Sequence, residues 1–185
     1  MSLFLENTMF YELTVKGYIR VPPKNLGENL REAIMQTLQE EYADKIIPEL
    51  GFILDVVDVL EIGEGVIIPG DGAAYYETKF KLLVFKPEMQ EIVLGKVKEV
   101  AEFGVFLEIG PVDGMIHISQ TMDDYVSFSK SGELHGKETK KNLKVNDKCR
   151  ARIIAISYRD VTNPKIGLTM RQPGLGALRW YEEKK

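Results

Sequence analysis

The chain has 185 residues, 44% of them hydrophobic and 28% charged, an ordinary globular composition with room for one large or two small domains. A single cysteine, Cys149, excludes an internal disulfide, and His117 and His135 as the only histidines exclude zinc-finger spacing, so no cofactor or metal is expected and a reducing cytoplasmic compartment fits. No apolar run approaches the roughly 18 residues of a membrane span, and the net charge of −4 hides a split: residues 1–90 carry −7 and residues 91–185 carry +3.

In chain order, the octapeptide MSLFLENT precedes a second methionine, Met9, and lacks the basic flank of a signal peptide; it reads as an upstream start or an extension. Residues 10–21 (FYELTVKGYIRV) alternate as a strand that Pro22 and Pro23 stop. Asn25 with Glu28 three residues later has the spacing of a helix cap. Leu26, Leu30, Ala33 with Ile34, Leu38 and Tyr42 then form one apolar stripe, which predicts a helix lying on a sheet. After Pro48 and Gly51, residues 52–62 read as a strand with charges at Asp55, Asp58 and Glu61, and residues 76–84 alternate as a long antiparallel strand that Pro87 closes.

Between these two strands lie Gly63-Glu64-Gly65 and Gly70-Asp71-Gly72. Neither has the G-x-G-x-x-G spacing of a phosphate loop, and no helix follows, so both read as turns, with Asp71 a turn former. Residues 86–91 mark a boundary. The expected architecture is an α+β domain over 1–88, one main helix on a curved antiparallel sheet, followed by an all-β barrel over 89–185.

The second half opens with three short strands: 95–100, 103–109 and 113–117, punctuated by Gly104, Gly110 and Gly114. Phe103 and Phe106 are three apart, so a flat strand would put them on opposite faces; a bulge at Gly104 would bring both to one side, and the alternative is that one of them is core. Asp123-Asp124 lacks further carboxylates at metal-binding spacing and reads as a solvated turn or cap. Residues 127–142 form a Ser-, Gly- and Lys-rich insertion, an exposed loop or hairpin carrying Lys130, Lys137, Lys140 and Lys141. On the strand over 147–157, Lys148, Arg150 and Arg152 share one face while Cys149, Ala151 and Ile153 share the other. Residues 166–172 supply a fifth strand, and Trp180, the only tryptophan, is expected to pack back on the body.

The order G-x-V, F-G-x-F, I-H-I-S over residues 95–119 resembles the ribosomal S-one RNA-binding domain, a five-stranded OB barrel. The resemblance implies that Phe103, Phe106 and His117 form a stacking platform for single-stranded RNA, with Lys148, Arg150 and Arg152 reaching phosphates or bases. The wider pattern resembles the E′ family of archaeal DNA-directed RNA polymerase subunits, counterpart of the seventh subunit of eukaryotic RNA polymerase II. The residues carrying it are RVPPKNLGENL (20–30), GDGAAYYE (70–77), HISQTMDDYV (117–126) and LTMRQPGLGALRW (168–180). That family implies a non-catalytic stalk subunit that pairs with a small helical RNA polymerase partner, the F protein. Its N-terminal tip, built from Gly63, Glu64, Gly65, Gly70, Asp71 and Gly72, would dock on the RNA polymerase core, and its barrel would hold emerging transcript in initiation and elongation. Two other readings are a free RNA-binding factor of translation or RNA decay, and a nuclease with the barrel as a clamp. The second lacks the carboxylate cluster that two catalytic metals need.

Overall fold

A computed structural model describes residues 9–25, 29–160 and 163–181. The chain packs as two compact units that divide between Lys86 and Pro87. The octapeptide before Met9 lies outside the described residues, as do residues 26–28.

In the first unit, β1 (Phe10–Val21), β2 (Ile46–Ile47), β3 (Gly51–Ile67) and β4 (Ala74–Phe85) form an antiparallel sheet in the order β1-β4-β3-β2. Helix α1 (Leu30–Tyr42) covers one face. It starts later than the Asn25–Glu28 spacing predicts. Pro23–Asn25 forms a 3-10 turn, and Asn29 is the N-cap, its side-chain oxygen accepting from the Glu32 N–H at 3.4 Å. The same i to i+3 capping spacing recurs four residues downstream, at Asn29 and Glu32, whereas Glu28 of the upstream pair lies outside the described residues. Ala33, Ile34 and Leu38 bury against Ile19, Val21, Ile53, Val56, Val59, Phe80, Leu82 and Val84.

Strand β3 repeats every three residues: Ile53-Leu54-Asp55, Val56-Val57-Asp58, Val59-Leu60-Glu61, Ile62-Gly63-Glu64. Its register against β4 slips once per repeat, so one residue in three is extra and the first residue of each triplet keeps facing the helix. Serial bulges of this kind coil a strand strongly. They also carry β3 through Gly63-Glu64-Gly65, which is therefore not a turn as expected: Gly65 pairs with Tyr76, and a side chain there would run into the Tyr76 ring. Gly70-Asp71-Gly72 is a turn, with positive φ at Gly70 and Gly72.

The second unit is a five-stranded barrel of β5 (Ile92–Ala101), β6 (Gly104–Glu108), β7 (Asp113–His117), and two further strands, Lys148–Ser157 and Lys165–Thr169. Between β7 and the fourth barrel strand lies a small separate sheet: β8 (Val126–Phe128), β9 (Leu134–Gly136) and β10 (Asn142–Leu143). The insertion is thus more ordered than a loop or hairpin, because Leu134 and Leu143 are fully buried beneath its polar residues. The fourth and fifth barrel strands are β11 (Lys148–Ser157) and β12 (Lys165–Thr169); β11 pairs with the first half of β5 and with β12, and β12 closes the barrel by a parallel pairing to β7. Val93, Val97, Val105, Leu107, Ile116, Cys149, Ala151, Ile153, Ile166 and Leu168 fill the interior. A short β13 (Gly176–Ala177) adds to β11, and Trp180 turns back to donate from its indole nitrogen to the Asn142 carbonyl at 2.9 Å. The chain is an α+β domain with one helix on an antiparallel sheet, followed by an OB barrel.

Candidate nucleic-acid interface

The aromatic pair is exterior, by a route different from the expected bulge. Phe103 precedes β6 in the turn that joins it to β5, and Gly104 re-aims the chain at φ +152°. A Cβ at residue 104 would collide with the Ile116 carbonyl oxygen on the neighbouring strand, so only glycine lets β6 and β7 close there. The strand bulge sits across the pair instead, in β5 between Val97 and Glu99. Neither phenylalanine is core: Phe103 is 52% exposed and Phe106 half-buried. Their ring centroids lie 6.1 Å apart at 82°, an edge-to-face pair that leaves ring surface free.

His117 ends β7 directly opposite Gly104 and is exposed. Its Nδ1 lies 2.8 Å from the Ser119 hydroxyl and accepts from the Ser119 N–H at 3.3 Å. An acceptor at Nδ1 puts the neutral ring's proton on Nε2, which makes that nitrogen a donor. Met115, half-buried, pairs with Phe106 from β7 and extends the apolar row; Gly167 on β12 pairs with Met115, and Ala155 on β11 with Gly167. The result is a shallow floor of two rings, a thioether and small residues, bordered by an imidazole. Such a surface can stack unpaired bases without reading their edges. Met115 was not among the expected residues. The signal for it is period two, since it lies one pleat from His117.

The β11 cations are not paired with the two rings, although β11 borders the floor at Ala155, three residues beyond Arg152. Phe106 lies opposite Glu99 on β5, whereas Arg152 lies opposite Ile92, seven residues earlier on the same strand. In the other direction β7 and β12 stand between β6 and β11. Lys148, Arg150 and Arg152 do share the outer face of β11, with Cys149, Ala151 and Ile153 buried beneath. Burial raises the Cys149 thiol to about 12, so it is an inert packing group.

The acidic pair after β7 is spent locally. Asp124 accepts from the Glu138 and Thr139 N–H groups and from the Thr139 hydroxyl, led by the hydroxyl bond, which together lower its carboxyl to about 2. Asp123 pairs with Arg171 at 3.0 Å. Asp124 is therefore a clamp that fixes the insertion, more than a solvated cap. Among the described residues no group of three histidine, cysteine or acidic side chains could hold a metal ion.

In the first unit the turn at 70–72 is held rather than loose. Asp71 accepts from Arg20 at 2.9 and 2.6 Å and from the Tyr75 hydroxyl at 2.5 Å. The Arg20 bonds, then the Tyr75 bond, pull the Asp71 carboxyl down to about 2. Beside this lock, Val66, Ile67 and Ile68 are exposed at the end of the β3–β4 hairpin, Ile67 to 70%. Gly63, Glu64 and Gly65 lie further back, inside β3. The apolar triplet was legible as VIIP next to a Gly-Asp-Gly turn, a place where apolar side chains have no core to enter.

Residues 16–72 match the SHS2 domain found in the N terminus of Rpb7p/Rpc25p/MJ0397, and residues 86–168 match the S1 RNA binding domain. The chain is 40% identical to DNA-directed RNA polymerase subunit Rpo7 of Sulfolobus acidocaldarius over 177 residues, 95% of this chain and 97% of that protein. It is 38% identical to the Rpo7 of Saccharolobus solfataricus over 96% of this chain and 99% of that one. DNA-directed RNA polymerase III subunit RPC8 of Saccharomyces cerevisiae is 32% identical, over 83% of this chain and 74% of its own length.

Proposed function

The chain belongs to the Rpo7 family of DNA-directed RNA polymerase subunits, and from that premise we propose that it is the non-catalytic stalk subunit that pairs with the small F protein and holds single-stranded nascent RNA on its barrel. The observation that carries the reading is the exterior cluster of Phe103, Phe106, Met115 and His117 on an S1 barrel, in a chain that aligns with polymerase subunits over nearly its whole length. Association with the polymerase core follows from membership of the family. The exposed Val66–Ile68 tip and its Asp71 lock support the first unit as the docking end, with Gly70, Asp71 and Gly72 in the turn and Gly63, Glu64 and Gly65 shaping the hairpin behind it. The alternative of a free RNA-binding factor is disfavoured by the near-complete alignment of both units with polymerase subunits. No helix among the described residues is long and apolar enough to cross a membrane.

In this reading bases stack on Phe103, Phe106 and Met115 while the His117 Nε2–H meets a phosphate or base acceptor. Each stacked base contributes about 1–3 kcal/mol, and the surface is tolerant of sequence because every base has a π-face. The modest positive charge of the second half predicts weak binding that falls as salt rises. The test is anisotropy of a labelled single-stranded RNA against the Phe103→Ala/Phe106→Ala variant. The expected loss is about 10- to 100-fold, from one or two stacked bases. Equal affinity of variant and wild type would make the barrel a spacer in the stalk rather than an RNA holder.

A further inference from the structure

Beside the aromatic cluster, between the end of the barrel and the inserted sheet, lies an open cleft of about 610 Å³ lined by Ile118, Ser119, Asp123, Tyr125, Glu138 and Arg171. Its size is within the range of small-molecule sites, about 300–1,000 Å³. Two residues join it to the cluster. The Ile118 N–H donates to the Phe103 carbonyl at 2.9 Å, and the Ser119 hydroxyl lies 2.8 Å from His117 Nδ1. A single strand that leaves the rings past His117 therefore meets this cleft next. Tyr125 stands in it as the most exposed large hydrophobic side chain among the described residues, at 76%. Its backbone is held, since its carbonyl accepts from the Lys137 N–H at 2.9 Å, while its ring and hydroxyl have no partner among the described residues. The Asp124 clamp on the Glu138 N–H keeps Glu138 next to it.

The carboxylates of the cleft differ in how far they are used. Asp124 is taken up by the Glu138 and Thr139 N–H groups and the Thr139 hydroxyl. Asp123 gives one oxygen, Oδ1, to Arg171, which reaches it from Nε and Nη2 at 3.0 Å. The Glu138 carboxylate has no partner among the described residues. Three carboxylates against one guanidinium repel phosphate, so what enters here is a base and not the backbone. An ionised carboxylate accepts from the exocyclic amino group of cytosine, adenine or guanine. Uracil offers no amino group, and its one ring N–H is flanked by two carbonyl oxygens that the carboxylate repels.

We propose that this cleft is a base-reading subsite, which takes the nucleotide next to those stacked on Phe103 and Phe106 and prefers an amino-bearing base to uracil. The assignment rests on the RNA-holding reading of the barrel and gives it a preference that the platform lacks. Tyr125 supplies the stacking face, and Glu138 accepts from the amino group. The platform tolerates any base because every base has a π-face. The cleft discriminates because a carboxylate meets the Watson–Crick edge, the edge on which unstacked RNA bases are read. The inserted sheet then has a function beyond packing: through the Asp124 clamp it holds an aromatic ring and an unpaired carboxylate on one wall of the cleft.

The test is anisotropy of labelled oligocytidylate and oligouridylate of one length with the full chain, at one salt concentration, for wild type, Tyr125→Ala, Glu138→Ala and Phe103→Ala/Phe106→Ala. Wild type should bind the cytidylate about 10-fold more tightly, the worth of one charge-assisted hydrogen bond. Glu138→Ala keeps the backbone N–H that Asp124 clamps, and it should bring the ratio of the two affinities to about one. Tyr125→Ala should weaken the cytidylate about 10-fold, from one lost stacked base. Thermal unfolding at the wild-type temperature shows that these two exposed substitutions leave the barrel folded. Equal affinity of wild type for the two oligomers, or a ratio that Glu138→Ala does not change, overturns the subsite. So does a Tyr125→Ala variant equal to wild type. In each of these cases loss of binding in Phe103→Ala/Phe106→Ala leaves the platform standing. Failure of the wild-type chain to bind either oligomer overturns both readings.

Discussion

Replacing Arg179 by alanine should loosen the whole C-terminal edge of the barrel. Its guanidinium donates to both carboxylate oxygens of Asp147, from Nε at 2.8 Å and Nη2 at 2.7 Å, and also to the Asn142 side-chain oxygen at 2.8 Å and the Asn142 carbonyl at 2.6 Å. One side chain thus ties the tail to β10 and to the start of β11. The Asp147 side chain is only 6% exposed and Arg179's is 35% exposed. Removing one partner of a fully buried pair costs about 3–5 kcal/mol, because the other charge stays buried. Here the Lys144 N–H still donates to Asp147 at 2.9 Å, and Arg179 is part-solvated. The expected loss is therefore about 2 kcal/mol, between the buried and the surface case.

The pH dependence has a definite sign. Burial pushes the Asp147 carboxyl up, but the Arg179 bonds, the Lys144 N–H and the two nearby cations outweigh it, and the net shift is downward. A carboxyl lowered on folding stabilises the native state above its unfolded pKa, about 3.9, and loses that contribution as pH falls through the folded value. The difference between wild type and Arg179→Ala should be full at pH 7 and shrink below about pH 4. Urea unfolding followed by the fluorescence of Trp180, which contacts the same Asn142 carbonyl, measures it directly. A variant within about 0.5 kcal/mol of wild type at pH 7, the scatter of ordinary surface changes, would refute the argument. So would a difference that does not change with pH.

Two further outcomes are expected. Gly104→Ala must place a Cβ against the Ile116 carbonyl at φ +152°, so it should destabilise the barrel by roughly 2 kcal/mol or more and weaken RNA binding with it; thermal unfolding and anisotropy read the two effects. Asp71→Asn removes the acceptor charge that holds Arg20 and Tyr75, and should weaken assembly onto the polymerase core in a reconstitution assay while RNA affinity stays at the wild-type value. In wild type that lock should persist from neutral pH down to about 2, where the Asp71 carboxyl protonates.

Much of this architecture is local and was therefore readable. Alternation over residues 76–84 and over 148–153 fixes which side chains face inward whatever the strands pair with. The places where reading failed are places where spacing alone is ambiguous. Two Asn-x-x-Glu pairs offer a start for α1, and the helix is capped by the downstream one, at Asn29. The triplets of β3 violate period two, so Gly63-Glu64-Gly65 looks like a turn until β4 is laid beside it and the bulges appear. Phe103 and Phe106 reach one surface because Phe103 stands in the turn before β6 and Gly104, the first residue of the strand, re-aims the chain.

What the sequence by itself determined is the set of elements, the two-part order and the chemical kind of each surface: aromatic, cationic, apolar or acidic. These depend on residue type and on neighbours within a few positions. Only the tertiary structure decided which of those surfaces are continuous. Barrel closure puts β7 and β12 on one side of β11 and the length of β5 on the other, so Arg150 and Arg152 meet Leu94 and Ile92 instead of the aromatics. Strand register over long sequence separation sets that adjacency, and no spacing within a single strand encodes it.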